Sequence, residues 1–283
     1  MNILMPTILI GVLGLVFGVM LAWFSQKFAV ESNPLVQKAE KILPGANCGA
    51  CGFPGCSALA EKIAAGEAPP DACPVGGPKV WNELSSLLGK EIDSNREAQK
   101  AILLCQGEKE VAGEVATYQG VKDCRAAHLL GNSFKVCRYG CLGFGNCIRV
   151  CPFEAMILDE EKGLPVILWE KCTGCGKCVE ECPRSVIALL PAREQVVEAC
   201  ISLASPRETR QSCKKGCIKC SICVKSCPEG AITLEGGRIK IDRNKCNLCG
   251  ICIEKCPTKS LVWIEKRPSL EEKEKKVGVK VGE

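Results

Sequence analysis

Four cysteines spaced Cys-x2-Cys-x2-Cys-x3-Cys, with proline directly after the last, occur three times in this chain. They are Cys172, Cys175, Cys178 and Cys182-Pro183; Cys217, Cys220, Cys223 and Cys227-Pro228; and Cys246, Cys249, Cys252 and Cys256-Pro257. No other feature restricts the fold as much. Three thiols two residues apart wrap one small object in a single tight loop, and the proline turns the fourth cysteine away from it. Thiolates are soft ligands, and this spacing is that of paired [4Fe–4S] cubes, in which the fourth cysteine ligates the other cube of the pair. Crossed ligation predicts Cys217, Cys220, Cys223 and Cys256 around one cube and Cys246, Cys249, Cys252 and Cys227 around its neighbour, close enough together for electrons to hop between them.

The same bacterial-ferredoxin architecture precedes this pair with one departure. Cys141, Cys147 and Cys151-Pro152 align with Cys217, Cys223 and Cys227-Pro228, but Phe144 stands where Cys220 would be. Cys137, four residues upstream of Cys141, is expected to replace the missing ligand. The expected sets are then Cys137, Cys141, Cys147 and Cys182, and Cys172, Cys175, Cys178 and Cys151; without Cys137 the first would hold a [3Fe–4S] cluster. The repeat continues between the motifs. CPFEAMIL, Gly163 and PVILWEKC parallel CPEGAITL, Gly236-Gly237 and RIKIDRNKC, and short apolar runs flanking a glycine turn predict paired strands. Zinc, the other metal for four thiolates, does not account for three such motifs with proline in phase.

A different cysteine pattern lies nearer the N-terminus. CGACGFPGC supplies Cys48, Cys51 and Cys56, and Cys73-Pro74 follows. The stretch from Ser57, SALAEKIAAGEA, reads as a short helix ended near Gly66 and Pro69, long enough to carry Cys73 back beside the other three. Four thiolates fit a [4Fe–4S] cluster or a structural zinc, and Gly49, Gly52 and Gly55 let the backbone bend around an inorganic core. Twenty of the 24 cysteines are thereby assigned. Cys105, Cys124, Cys200 and Cys213 remain; Cys124 precedes Cys137 by thirteen residues and Cys200 precedes Cys213 by the same interval. These four are expected to meet between the modules and hold a sixth cluster, the alternative being buried free thiols. A secreted disulfide scaffold, the other use of so many cysteines, does not predict metal-ligand triplets.

The first charged side chain is Lys27, and Met5 to Phe24 is a run of 20 mostly apolar residues, the length of a membrane-spanning helix. Trp23 and Phe24 close it, with Lys27, Lys38 and Lys41 on the far side, which predicts a retained anchor with the C-terminal part in the cytoplasm. A cleaved signal peptide would want a basic start and a shorter apolar run. No ionisable residue lies within the span, so the chain offers no ion path of its own. A net charge of +5 without a basic stripe, and only two tyrosines, give no reason to expect nucleic-acid binding. There is no phosphate-binding or dinucleotide-binding glycine loop, and the lone His128 is expected to be a surface or capping residue.

With the anchor, the CGACGFPGC…CP unit and the CRYGCLGFGNCIRVCPFEAMIL stretch from Cys137 in this order, the chain resembles the B subunits of Rnf complexes along essentially its whole length. The resemblance implies a subunit of a ferredoxin:NAD⁺ oxidoreductase coupled to sodium or proton translocation, taking electrons from reduced ferredoxin. Flavin-binding and NAD-binding subunits are the implied partners. The runner-up is an electron-transfer subunit of a membrane hydrogenase or formate dehydrogenase, and a zinc-bound structural protein is the reading without redox chemistry. Lys214, Lys215 and Lys219, beside a cluster loop, are candidate contacts for an acidic ferredoxin.

The expected fold is α+β. It comprises a transmembrane anchor over 1–28, a linker over 29–45, a four-cysteine [4Fe–4S] domain over 46–80 and a connecting segment over 81–130. Two tandem ferredoxin-like modules, each for two [4Fe–4S] clusters, follow over 131–192 and 193–265, then a charged tail over 266–283.

Overall fold

A computed structural model describes residues 4–27, 33–92, 97–131, 134–193 and 195–264; the charged tail expected over 266–283 lies outside them. Helix α1 (Leu4–Lys27) has 24 residues and is therefore about 36 Å long at 1.5 Å per residue, enough for a hydrocarbon core of about 30 Å. Leu9, Leu15 and Leu21 lie on different sides of it and all are exposed. A helix apolar all round has no face suited to water, and among the described residues this is the one helix long and apolar enough to cross a membrane.

Three helices make the first folded unit. α2 (Pro34–Ile42) opens on Asn33, whose side-chain oxygen accepts from the Leu35 N–H at 2.9 Å, with proline at the position where no N–H is needed. α3 (Cys56–Ala64) is the helix read from SALAEKIAAGEA; Gly66, at φ +79°, breaks the chain out of it. α4 (Gly77–Leu88), which no motif in the sequence announces, ends at a left-handed Gly89. Ala39, Leu59, Ala60, Ile63 and Leu84 form the closed core of the unit. Leu59 and Ile63 sit one helical turn apart and face inward together, the spacing that makes α3 amphipathic.

The remainder is a tandem repeat of one small topology. β1 (Gln99–Leu103), α5 (Cys124–Leu129), α6 (Asn146–Arg149), β2 (Met156–Asp159), β3 (Leu164–Ile167), α7 (Lys177–Glu181) and β4 (Ile187–Pro191) make the first module. β5 (Val196–Glu198), α8 (Pro206–Ser212), α9 (Ile222–Ser226), β6 (Ile232–Glu235), β7 (Arg238–Ile241), α10 (Ile251–Glu254) and β8 (Leu261–Trp263) make the second. The predicted hairpins are β2–β3, with Met156 opposite Ile167, and β6–β7, with Ile232 opposite Ile241. Each module also closes its outer strands into a second antiparallel pair, β1 with β4 and β5 with β8. β1 lies in the segment read as a connector, yet it is an integral strand of the first module: Ala101 and Ile102 are buried in its core.

The modules are not separate beads. Val197, Ile201 and Ile264 of the second pack into the buried cluster of the first, beside Leu103, Val186 and Ile187. Just beyond β1 and β5, Cys105 and Cys200 form an antiparallel backbone bridge across the seam.

Gly174, in the loop between Cys172 and Cys175, has φ +72°, and a methyl group there would collide with the carbonyl of Gln99 on β1. Gly174→Ala therefore combines a left-handed backbone with an overlap against a strand, a cost of about 3 kcal/mol. The thermal midpoint of the loaded protein should fall by about 6–12 °C; a fall of about 1 °C would mean that β1 is not held against this loop.

Candidate metal centres

The 24 cysteines gather into six groups of four, called cages here and numbered along the molecule. In the first, burial raises the pKa of Cys73, partly opposed by backbone N–H donors, and nearby Cys51 and Cys56 add to the rise. Cys48 belongs to the same loop. That loop is folded by Asn47, at φ +45°, whose side-chain oxygen accepts from the Cys56 N–H at 2.8 Å. The Trp81 indole N–H donates to the Cys73 carbonyl at 2.6 Å, so α4 pins the fourth cysteine in place.

The second cage is Cys151, Cys172, Cys175 and Cys178. Burial, then Cys172 and Cys175, push the Cys178 thiol up to about 12, with Cys147 and Cys151 adding less. Backbone N–H groups point at its sulfurs, Ala101 to Cys172 and Ala155 to Cys151, both at 3.4 Å. Cys48 of the first cage also raises the Cys175 pKa, after burial and Cys151, so these two cages are neighbours.

The third cage is Cys124, Cys141, Cys147 and Cys182, which line one cavity. Burial, then Cys124 and Cys182, raise the Cys147 thiol to about 12. The fourth is Cys105, Cys137, Cys200 and Cys213, lining another cavity at the seam. There burial lifts Cys213 to about 11, with Cys105, Cys137 and Cys200 contributing. The two cages adjoin, since the Cys141 N–H donates to the Cys105 sulfur at 3.5 Å.

This placement differs from the grouping drawn from spacing, which put Cys137 with Cys141, Cys147 and Cys182, and Cys124 with Cys105, Cys200 and Cys213. Cys124 and Cys137 exchange places. The reason is a polar clamp. Asp123 caps α5 by accepting from the Arg125 and Ala126 N–H groups at 2.9 Å. The Asn146 side chain accepts from the Cys124 N–H at 2.9 Å and donates to Asp123 and Glu181 at 2.7 and 3.0 Å. α5 is thereby held over the cluster loop with Cys124 at the position that Phe144 leaves unfilled. Phe144 itself packs with Tyr118 and Phe134, ring centres 5.0 and 5.5 Å away. Cys137 is left free to face the seam.

The fifth cage, Cys217, Cys220, Cys223 and Cys256, lines a cavity that Cys200 of the fourth cage also borders. The sixth, Cys227, Cys246, Cys249 and Cys252, lines the last. In these two the placement follows the crossed pattern, and Cys220 and Cys249 reach the surface. Cys256 differs from the thiols whose pKa burial raises. Burial would raise its pKa, but the Ser260 hydroxyl and N–H, each at 3.3 Å, together with the Leu261 N–H and the Thr258 hydroxyl, lower it. The three residues at the corresponding place after Cys151, Cys182 and Cys227 are Ala155, Val186 and Ala231, none with a hydroxyl.

The donor chemistry fits clusters better than single ions. A zinc ion about 2.3 Å from each thiolate draws its ligands tightly together. The cages instead place four cysteines around a cavity, as in the third, fourth and sixth. All-thiolate cages with backbone N–H groups aimed at the sulfurs are what [4Fe–4S] clusters take. Of the candidate docking lysines, Lys215 pairs with Glu108 at 3.3 Å and Lys219 donates to the Ala204 carbonyl at 2.5 Å, so both brace loops around the fourth and fifth cages. His128 lies exposed at the end of α5.

Comparison with known proteins finds iron–sulfur domains in three stretches of the chain. Residues 43–75 match the FeS family, an Fe-S cluster domain, and residues 137–187 and 216–260 each match a 4Fe-4S dicluster domain. A relative from Acetobacterium woodii, the B subunit of its Na(+)-translocating ferredoxin:NAD(+) oxidoreductase complex, is 46% identical over 86% of this chain and 73% of its own length. The B subunit of the ion-translocating oxidoreductase complex of Methanosarcina acetivorans is 41% identical over 83% of this chain and 88% of its own. The B subunit of the proton-translocating ferredoxin:NAD(+) oxidoreductase complex of Clostridium ljungdahlii is 41% identical over 87% and 86%.

Proposed function

Since the chain belongs to the B subunits of ion-translocating ferredoxin:NAD⁺ oxidoreductase complexes, we propose that its six cages hold six [4Fe–4S] clusters, forming one line from reduced ferredoxin to the rest of the complex. The chain is an iron–sulfur electron-transfer subunit of such a complex and is membrane-associated. The observation that carries the six-cluster reading is the order of the cages, each with cysteines beside those of the next: Cys48 by Cys175, Cys178 by Cys147, Cys141 by Cys105, Cys200 by Cys217, and Cys223 in one buried cluster with Cys252. When bound, such clusters carry one electron at a time at potentials low enough to exchange with ferredoxin.

The protein's own residues do the rest. The cages fix spacing, the N–H groups of Ala101, Ala155, Ala231 and Ser260 supply partial positive charge at the sulfurs, and the buried strands keep water away. The cytoplasm is the expected side for the cages, given the lysines that follow α1. Flavin-binding and NAD-binding neighbours are the expected recipients, because the chain has no nucleotide loop, and a span without ionisable groups leaves the ion to other subunits.

Iron and acid-labile sulfide on anaerobically purified protein should give about 24 irons per chain, four to a cube. About 20 irons would leave one cage empty, and zinc in place of iron would overturn the reading. The regrouping has its own test. C137S and C213S should each remove about four irons, and the double variant no more than either, because both belong to the fourth cage. A loss of about eight in the double variant would restore Cys137 to the Cys141 cage.

A further inference from the structure

Arg184 follows Cys182-Pro183, and the corresponding residues of the other three Cys-Pro loops are Phe153, Glu229 and Thr258, so it is the one cation at this place in the repeat. It is only 8% exposed. Its Nε and one terminal nitrogen are buried with no hydrogen-bond partner among the described residues. A guanidinium stays charged at any ordinary pH and is kept inside a protein only where something anionic compensates it. Arg184 lines the cavity of the third cage with Cys124, Cys141, Cys147 and Cys182. Burial disfavours its charge, and the groups that favour it are all cage thiols, Cys137 of the fourth cage first and then Cys182, Cys141 and Cys124. The side chain therefore borders the third cage, with buried N–H donors that no hydrogen bond among the described residues takes up.

We propose that Arg184 is the counter-ion of the third cage and raises the reduction potential of the cluster it holds. A cluster held by four thiolates is an anion that gains one more negative charge on reduction. A fixed positive charge beside it stabilises the reduced form more than the oxidised one, and N–H donors directed at its sulfurs act in the same sense. No proton has to move, because the guanidinium is charged in both states. Arg184 is a positioning residue for charge and does not itself carry electrons.

The inference rests on the reading that the third cage holds a cluster, and the two can be told apart. Iron content of the wild-type chain, with its loss in C141S, tests the reading; potentials test Arg184. Full-length loaded protein, with R184Q and R184K, is titrated anaerobically with dithionite and followed by electron paramagnetic resonance. R184Q should keep its iron while one midpoint moves to a more negative value, and R184K should return it toward wild type. Unchanged midpoints in iron-replete R184Q, or an R184K shift as large as that of R184Q, would overturn the proposal. If R184Q loses iron, R184K decides: full iron at wild-type midpoints supports the counter-charge, and iron loss in R184K as well overturns it.

Discussion

Membranes carrying the assembled complex with the Cys178→Ser variant of this chain are expected to lose ferredoxin-dependent NAD⁺ reduction by about 100-fold or more, since loss of even an outer partner of a metal site costs about 10–100-fold. Cys178 is buried in the core of the first module and belongs to the second cage. That cage is the link between the first cage and the others, through Cys48 and Cys175. A serine there cannot supply a soft thiolate, so the cluster is lost or converted and the line is cut. The folded unit around α2, α3 and α4 has its own core and should remain intact. Near-normal activity in this variant would mean that donor and acceptor both dock on one side of the second cage, and the linear path would be wrong.

Removing the iron altogether should have the larger structural consequence. The strands have three to five residues, and the helices of the two modules four to seven. Isolated helices of that size do not persist in water. Cysteines stand where large apolar side chains would ordinarily be: Cys147, Cys172 and Cys178 are members of the first module's core, and Cys223 and Cys252 of the second's. A structural metal site can supply on the order of 10 kcal/mol, whereas a whole domain is stable by about 5–15 kcal/mol. Chelation under denaturant-free conditions should therefore erase the β-sheet signal from residues 97–264 and leave α1 helical in detergent, as read by far-ultraviolet circular dichroism. A native spectrum after complete iron loss would show that the packed strands hold the fold without help.

The sequence shows most of this because the chemistry is periodic. Motif spacing alone anticipates the two hairpins, the crossed cages of the second module and the α3 helix. What it hides is instructive. The interval of thirteen residues shared by Cys124–Cys137 and Cys200–Cys213 suggests that Cys124 corresponds to Cys200, but the strands show that Cys105 does: Cys105 follows β1 as Cys200 follows β5. A shorter interval carried the true signal, since Cys137 precedes Cys141 by four residues and Cys213 precedes Cys217 by four. Cys124 has no counterpart in the second module. It reaches its cage only because Asp123 and Asn146, far apart in sequence, hold α5 in place.

β1 and β5 were hidden for another reason. Each partners a strand at the far end of its module, so neither forms the compact strand–glycine–strand pattern by which β2–β3 and β6–β7 can be recognised. Arg184 was invisible as well. A single arginine after a Cys-Pro pair reads as an ordinary solvated charge until its burial is known.

The bridge between Cys105 and Cys200 has a further meaning. Each module carries two complete cages and one half of another, so neither copy alone can finish the fourth cage. Joining two units in tandem thus creates a site that neither possesses, at the place where their strand ends meet. Ligation at such a seam would act as a molecular rivet: prying the copies apart would mean breaking bonds to metal, and duplication of a two-centre carrier would yield five centres in one continuous conductor.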